Sequence, residues 1–240
     1  AEDSGAYTIT SSALLVNAAD VEGDTLTVSD LTISSGAGTL TDNGDGSWDY
    51  TPSDDDDGDV SFSYTITDDG TTDGVSDNRS VTGTASVDIT TINDAPITSA
   101  VTLSAIAEDS GAYTITSSAL LVNALDIEGD TLTVSNLIIT NGLGALTDNG
   151  DGSWDYTPSD DDDGDVSFSY TITDDGTTDG VADNRSVTGT ASVDITTIND
   201  APTSSPVTLS AIAEDSGAYT ITSSALLVNA LDIEGDTLTV

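Results

Sequence analysis

DVSFSYTITDD occupies residues 59–69 and returns unchanged at 165–175. Val60, Phe62, Tyr64 and Ile66 alternate with Ser61, Ser63 and Thr65, the period of two that buries one face of a strand. SVTGTASVDIT, residues 80–90, repeats the pattern through Val81, Ala85, Val87 and Ile89. Thr is abundant and strong helix formers are scarce, so propensity agrees with the alternation. Low hydrophobicity with high net charge ordinarily leaves a chain disordered. Here the apolar residues are too regularly placed for that, and an all-β protein with a solvated acidic exterior is expected.

The 240 residues include 44 acids, two bases and no histidine, for a formal charge of −42. The two bases are Arg79 and Arg185. Nucleic acid and anionic membrane surfaces need basic patches and are excluded as partners. No apolar run approaches the roughly 18 residues of a membrane span, and no secretory leader is visible. There is no cysteine for disulfides or thiolate metal sites. Without any methionine, the sequence is expected to be an internal window of a longer array.

AEDSGAYTITSSALLVNA begins at residues 1, 107 and 213, a period of 106. That is too long for a solenoid coil and right for one sandwich domain. Eight of the differences between 1–106 and 107–212 fall between positions 19 and 39. TINDAP, at 91–96 and 197–202, combines a turn former, an acid and a proline after a long strand and reads as a linker. The expected domains are 1–96, 97–202 and 203–240. The first lacks the VTLSAI that opens the second at 101–106, only the second is complete, and the third is an N-terminal fragment too small to fold alone.

Strands are expected near 101–106, 112–116, 131–139, 144–147, 153–157, 165–173 and 185–197, with equivalents in the first copy. DNGDGSWDY (42–50) places Asn-Gly and Asp-Gly between alternating runs, a hairpin signal. Apolar parity slips between Val28 and Leu31, predicting a bulge or break, and SSALLVNA (11–18) suggests a helical turn. Seven short strands in about 100 residues fit an immunoglobulin-like or cadherin-like β-sandwich, joined end to end in tandem.

All six glutamates lie in one of two motifs, AEDS or D-x-E-G-D, among 38 scattered aspartates. Acids kept only for solubility would not confine the longer carboxylate in this way. In D-x-E-G-D, the acids at i, i+2 and i+4 share one side if the backbone is extended: Asp20, Glu22 and Asp24; Asp126, Glu128 and Asp130; Asp232, Glu234 and Asp236. Like charges about 4 Å apart repel by about 1 kcal/mol per pair even in water, and two arginines cannot relieve them all. Oxygen ligands without His or Cys select Ca²⁺ or Mg²⁺, and a crowded site favours Ca²⁺. The alternative is an acidic loop that is merely solvated.

An EF-hand beginning at Asp20 would need Gly and Glu where Thr25 and Leu31 stand, and the glycine-rich nonapeptide of calcium β-rolls is absent. The ligands must therefore come from separate loops. SDDDDGD (53–59, 159–165) cannot aim four consecutive carboxylates one way and is read first as a solvated turn. Trp48, Tyr50, Trp154 and Tyr156 could form a sugar platform, but their alternation favours core packing.

AEDS, LLVNAxDxEGDTLTV, DGSWDYTP, VSFSYTITDDG and NDAP, in that order, resemble the cadherin-like tandem repeats of giant RTX-type, biofilm-associated bacterial surface adhesins, over nearly the whole of each repeat. The resemblance implies type I secretion to the cell surface and strings of β-sandwiches with Ca²⁺ at their junctions. Such strings form a stalk that holds an adhesive tip away from the cell. Animal cadherins imply how a junction is assembled. The first would draw on Glu2, Asp68 or Asp69, Asn93 and Asp94, then Asp126, Glu128 and Asp130. The second would draw on Glu108, Asp174 or Asp175, Asn199 and Asp200, then Asp232, Glu234 and Asp236. The linker carries fewer acids than the full cadherin linker, which implies fewer ions. A competing site within one domain would combine Asp20, Glu22 and Asp24 with part of Asp54–Asp57.

The expected function is a calcium-stiffened extender in an extracellular adhesin or filament. Its partners are neighbouring repeats, with lateral or end-to-end self-association into a fibre. A carbohydrate- or cell-binding module is the alternative. An enzyme is disfavoured, because all but one of the first copy's acids recur at the 106-residue period and no nucleophile–base motif exists.

Overall fold

The computed structural model describes residues 1–240, and its regular secondary structure is almost wholly β-strand. The first copy of the repeat contains β1 (Tyr7–Thr10), β2 (Thr27–Ser35), β3 (Thr39–Asp42), β4 (Ser47–Thr51), β5 (Val60–Thr67), the short pair β6 (Thr71–Thr72) and β7 (Val75–Ser76), and β8 (Ser80–Val87). The second contains β9 (Val101–Thr102), β10 (Ile106–Ala107), β11 (Tyr113–Thr116), β12 (Thr133–Asn141), β13 (Ala145–Asp148), β14 (Ser153–Thr157), β15 (Val166–Thr173), β16 (Thr177–Thr178), β17 (Val181–Ala182), β18 (Ser186–Val193) and β19 (Ile195–Thr196). β20 (Thr203–Ser204) and β21 (Ala230–Leu231) form a small ladder in the third.

Two sheets, in the orders β1-β4-β3 and β2-β5-β8, enclose the core of the first repeat. The alternation of 60–66 is realised residue by residue: Val60, Phe62, Tyr64 and Ile66 are buried and the residues between them half-buried. They pack against Ile9, Trp48 and Tyr50 of the opposing sheet, with the Tyr50 and Phe62 rings edge to face at 5.3 Å. Burying such rings is worth about 1.5–3 kcal/mol each. Trp48 and Trp154 are 5% and 4% exposed, so they are core residues and form no open platform.

The parity slip at 28–31 is a register shift of β2 against β5 between Ser29 and Thr32, with Asp30 at φ 54°. A short aspartate tolerates this left-handed conformation better than most residues. The helical turn is present as α1 (Ser11–Leu14), capped by Thr10, whose hydroxyl accepts from the Ala13 N–H. Two expected strands are interrupted. The 101–106 run divides into β9 and β10, and the 185–197 run into β18 and β19: the N–H groups of Leu103 and Ile106 donate to the carbonyls of Ser192 and Asp194, a step of three residues against two that breaks the register.

β5 and β8 pair antiparallel from Val60↔Val87 to Thr67↔Ser80. Eight residues at about 3.3 Å each separate the two ends of this ladder. The linker after β8 therefore leaves beside the start of β5 and the Asp54–Asp57 loop, whereas Asp68 and Asp69 lie at the far end.

The chain divides into two compact units. One holds Ala1–Ile97 with Leu125–Thr133 and Thr173–Val187, the other Thr98–Ala124 with Val134–Ile172 and Thr188–Val240. Two acidic loops of the second repeat are thus grouped with the first repeat and its linker.

Candidate metal centres

Within the first unit, the linker threads among acids from four segments. Glu2 is 3% exposed; its backbone N–H donates to the Thr90 carbonyl, and its Oε1 accepts from the Ile92 N–H at 2.7 Å. That hold fixes the linker at its entry. Asp3, Asp55 and Asp94 then place carboxylate oxygens within 4.8 Å of one another. Asp3 and Asp55 both take positive φ, and the Asp55 N–H donates to Asp3 Oδ1 at 3.4 Å.

One residue earlier, Asn93 is 2% exposed. Its Nδ2 donates to Asp174 Oδ1 at 3.2 Å and to the Asp183 carbonyl at 2.9 Å. Asp174, also 2% exposed, accepts through the same Oδ1 from the N–H groups of Gly176 and Arg185. All of these hydrogen bonds fall on one side of each group. The Asn93 Oδ1 and the Oδ2 atoms of Asp94, Asp126 and Asp174 are buried without any hydrogen-bond partner. A buried acceptor left unpaired costs about 1–3 kcal/mol, more when charged.

Asp126, Glu128 and Asp130 are brought together, with ligand oxygens within 4.8 Å, but not by an extended backbone. The loop is a turn wrapped around Asp126, whose Oδ1 accepts from the Asp130 N–H at 3.0 Å, with Gly129 at φ 83°. Gly176 is needed beside them. A Cβ there would overlap Asn93 Oδ1 and Asp130 Oδ2, so a side chain would fill the space that the oxygens share.

The electrostatics point the same way. Asp94 is raised above the usual carboxylate range by desolvation, then by Asp3 and Asp55. Asp130 is raised by desolvation, then by Asp126, Asp175 and Asp174. Desolvation, reinforced by Asp126 and Asp94, pushes Glu128 from 4.5 up to about 6. Arg79 is paired with Asp77 at 2.7 Å and Arg185 with Asp183 at 2.8 Å, and Arg185 only partly offsets the charge around Asp94.

The Glu128 shift has a testable sign. The folded chain holds this proton more tightly than the unfolded chain. The resulting stabilisation is complete below pH about 4.5 and gone above about 6. In chelator, the melting temperature is expected to fall as pH rises through that window, and to fall less in Glu128→Gln. With millimolar calcium the fall should vanish, because a cation competes with the proton. A flat profile in chelator would refute this.

The second unit repeats the arrangement in part. Glu108 is 3% exposed, with Oε1 accepting from the Ile198 N–H at 2.7 Å. Asp109, Asp161 and Asp200 gather as Asp3, Asp55 and Asp94 do, and Glu234 Oε1 accepts from the Asp200 N–H at 3.3 Å. Asp232 is 8% exposed, its Oδ1 accepting from the Asp236 N–H. Asn199 is exposed and donates only to the Asp200 carbonyl, since no counterpart of Asp174 and Asp183 meets it.

Compared with the sequence expectation, Glu2, Asn93, Asp94, Asp126, Glu128 and Asp130 do come together, as do Glu108, Asp200 and Glu234. Asp68 and Asp69 do not join Asn93. Asp69 Oδ1 accepts from the Thr25 N–H, and desolvation, then Asp20, Asp69 and Asp68, raises Asp24, so Asp68 and Asp69 sit with Asp20, Glu22 and Asp24 at the opposite end of β5. Asp174 takes the place beside Asn93, with Asp175 accepting from the Thr131 N–H next to Asp130, for the same reason of strand direction. Asp55 lies with Asp3 and Asp94, away from the Asp20–Asp24 loop. Asp3 and Asp109 were not singled out from sequence, although they adjoin the one glutamate of each AEDS motif, and Asp55 and Asp161 entered only within the SDDDDGD runs.

A family model described as cadherin-like domain matches residues 1–90, 92–196 and 198–240. The chain belongs to the cadherin-like domain family. Such domains are of the extracellular adhesion and stalk type, and they usually bind Ca²⁺. Solved structures similar to the cadherin-like chain include human protocadherin-24 EC1-2, 12% identical with TM-score 0.47 over 74% of this chain and 85% of that one. Another is a protocadherin gammaB7 EC3-6 cis-dimer, 15% identical with TM-score 0.45 over 77% and 44%. A third is an endo-fucoidan hydrolase of glycoside hydrolase family 107, 26% identical with TM-score 0.30. The cadherin-like repeats match 74% of this chain but span only 24% of that hydrolase. A search of curated proteins returned no match. No helix is long and apolar enough to cross a membrane.

Proposed function

We propose that this chain is an extender segment in the stalk of a long bacterial extracellular adhesin or filament, rigidified by Ca²⁺ where one repeat hands over to the next. The carrying observation is the set of buried, unpartnered oxygens on Asn93, Asp94, Asp126 and Asp174. An all-oxygen donor set of carboxylates and an amide carbonyl, without His or Cys, fits a hard cation with many ligands. Glu2, Asp3, Asp55, Asn93, Asp94, Asp126, Glu128, Asp130 and Asp174 would hold it. A bound cation would supply the positive charge that Arg185, paired with Asp183, only partly supplies to Asp94.

The protein's own part is to fix those oxygens in advance. Glu2 clamps the linker backbone, and Asp174 and the Asp183 carbonyl clamp Asn93. Without a cation the same acids repel and the linker loosens. Extracellular modules bind Ca²⁺ at about 10⁻⁴–10⁻³ M, so the sites fill outside a cell and stay empty in cytosol, which suits export by type I secretion. Catalysis forms no part of this reading, because every acid of the first copy except Asp30 recurs at the same period. The buried tryptophans remove the aromatic platform on which a sugar-binding reading would rest.

Small-angle X-ray scattering tests the proposal. Millimolar calcium is expected to lengthen the largest dimension and narrow the spread of conformations, and chelator to reverse both. Identical profiles in the two media would overturn it.

A further inference from the structure

We propose that the outer edge of β12 pairs antiparallel with β12 of a second copy of this chain. In the second repeat the sheet order is β12-β15-β18-β9, so β9 closes one side and no strand pairs with the far side of β12. Its nine residues, Thr133–Asn141, extend about 30 Å at about 3.3 Å each. An unpaired edge of that length is a template for strand addition, in which backbone hydrogen bonds supply affinity and alternate side chains supply register. Sheets commonly blunt such an edge with a charged side chain.

The first repeat has that charge and the second has lost it. β2 bounds the equivalent sheet, and it carries Asp30 and Thr32 where β12 carries Asn136 and Ile138. Asp30 and Asn136 take the same left-handed conformation, φ 54° and 55°. Either residue serves the backbone there, so the exchange takes away the charge and leaves the bulge. No acid remains between Asp130 and Asp148. In the first repeat Thr32 stands opposite Ser63, and Ser63 opposite Thr84, a row of hydroxyls across the face turned from the core. In the second, the matching row is Ile138, Ser169 and Thr190, and Ile138 is 57% exposed at its outer end.

Charge selects the occupant. A chain with a net charge of −42 repels its own copies over most of its surface, and the acid-free span 131–147 is where two copies meet with least repulsion. A basic partner would be drawn to the acidic loops instead. Two-fold pairing centred on Ile138 sets the two isoleucines opposite each other on one face, an apolar cross-strand pair, and joins two four-stranded sheets into one. Because both chains present the same strand, the contact closes at two copies. The inference goes beyond the stalk reading and does not rest on it, since β12 contributes no candidate metal ligand.

Sedimentation equilibrium of the full chain over a range of concentrations tests this, at fixed millimolar calcium and moderate salt to screen the net charge. The average mass is expected to rise from one chain to two and to stop there. Asn136→Asp combined with Ile138→Thr gives β12 the residues that already stand in β2, and should hold the chain to single copies over the same range. Amide exchange should slow along β12, but not along β2, as the paired form fills. Single chains at every concentration, which would leave the edge to a different protein, would overturn the proposal. So would a double variant that associates as the wild type does, or a paired form whose β12 exchanges as fast as in the single chain.

Discussion

Transfer from millimolar calcium to chelator is expected to lower the melting temperature of the chain by on the order of 10–20 °C. Calcium at about 10 mM, roughly a hundred times a Kd of about 10⁻⁴ M, stabilises the folded state by about 2.7 kcal/mol. One kcal/mol corresponds to about 4–8 °C for a domain of 60–100 residues. Asp174→Asn separates the ion from the architecture. Its Oδ1 would keep the bonds to Asn93, Gly176 and Arg185, while an amide replaces the unpartnered Oδ2. In chelator the variant should melt at or above the wild type, having lost a buried charge. In calcium it should gain far less. Equal melting temperatures of the wild type in both media, read by differential scanning calorimetry, would remove the basis for a metal at these oxygens.

The second large effect comes from adding a methyl group. Gly70 and Gly176 are equivalent in the repeat, yet they face different demands. A Cβ on Gly70 would meet Asp24 Oδ2 at 2.7 Å and Asp68 Oδ1 at 3.2 Å, and Asp24 has exposed loop around it into which it can turn. A Cβ on Gly176 would overlap Asn93 Oδ1 as well as Asp130 Oδ2, and Asn93 is held in place by two hydrogen bonds. Gly176→Ala is expected to cost about 1–3 kcal/mol from overpacking, with about 1–3 kcal/mol more if Asn93 is expelled and its partners are left unpaired. Gly70→Ala should cost little. Urea unfolding of both variants compares them directly, and equal losses would show that the linker asparagine is not the constraint.

How much of this could be read from the sequence depended on whether the determining physics was local. The alternation at 60–66 translates directly into buried and half-buried residues, because strand geometry leaves no other choice. The slip at 28–31 likewise located the register shift. The D-x-E-G-D acids were identified as a cluster, but through the wrong backbone. Asp126 accepts its own neighbour's N–H and Gly129 takes positive φ, so a turn gathers the carboxylates that an extended chain was expected to align. Asp68 and Asp69 were set beside the wrong linker, since only the direction of β5 against β8 decides which pole a loop occupies. Asp55 was lost in a run of four identical residues, because nothing in DDDD marks which carboxylate will face Asp94.

The seams also recur with the period of the text that encodes them. Glu2, Asp3, Asp55 and Asp94 have counterparts at Glu108, Asp109, Asp161 and Asp200, and Glu128 has Glu234. An unequal crossover between two copies of the coding sequence would remove or insert one whole period. Wherever the exchange fell, every surviving handover would still find its clamp, its linker and its receiving loop. Reach could then change by recombination alone, with no fresh joint to invent.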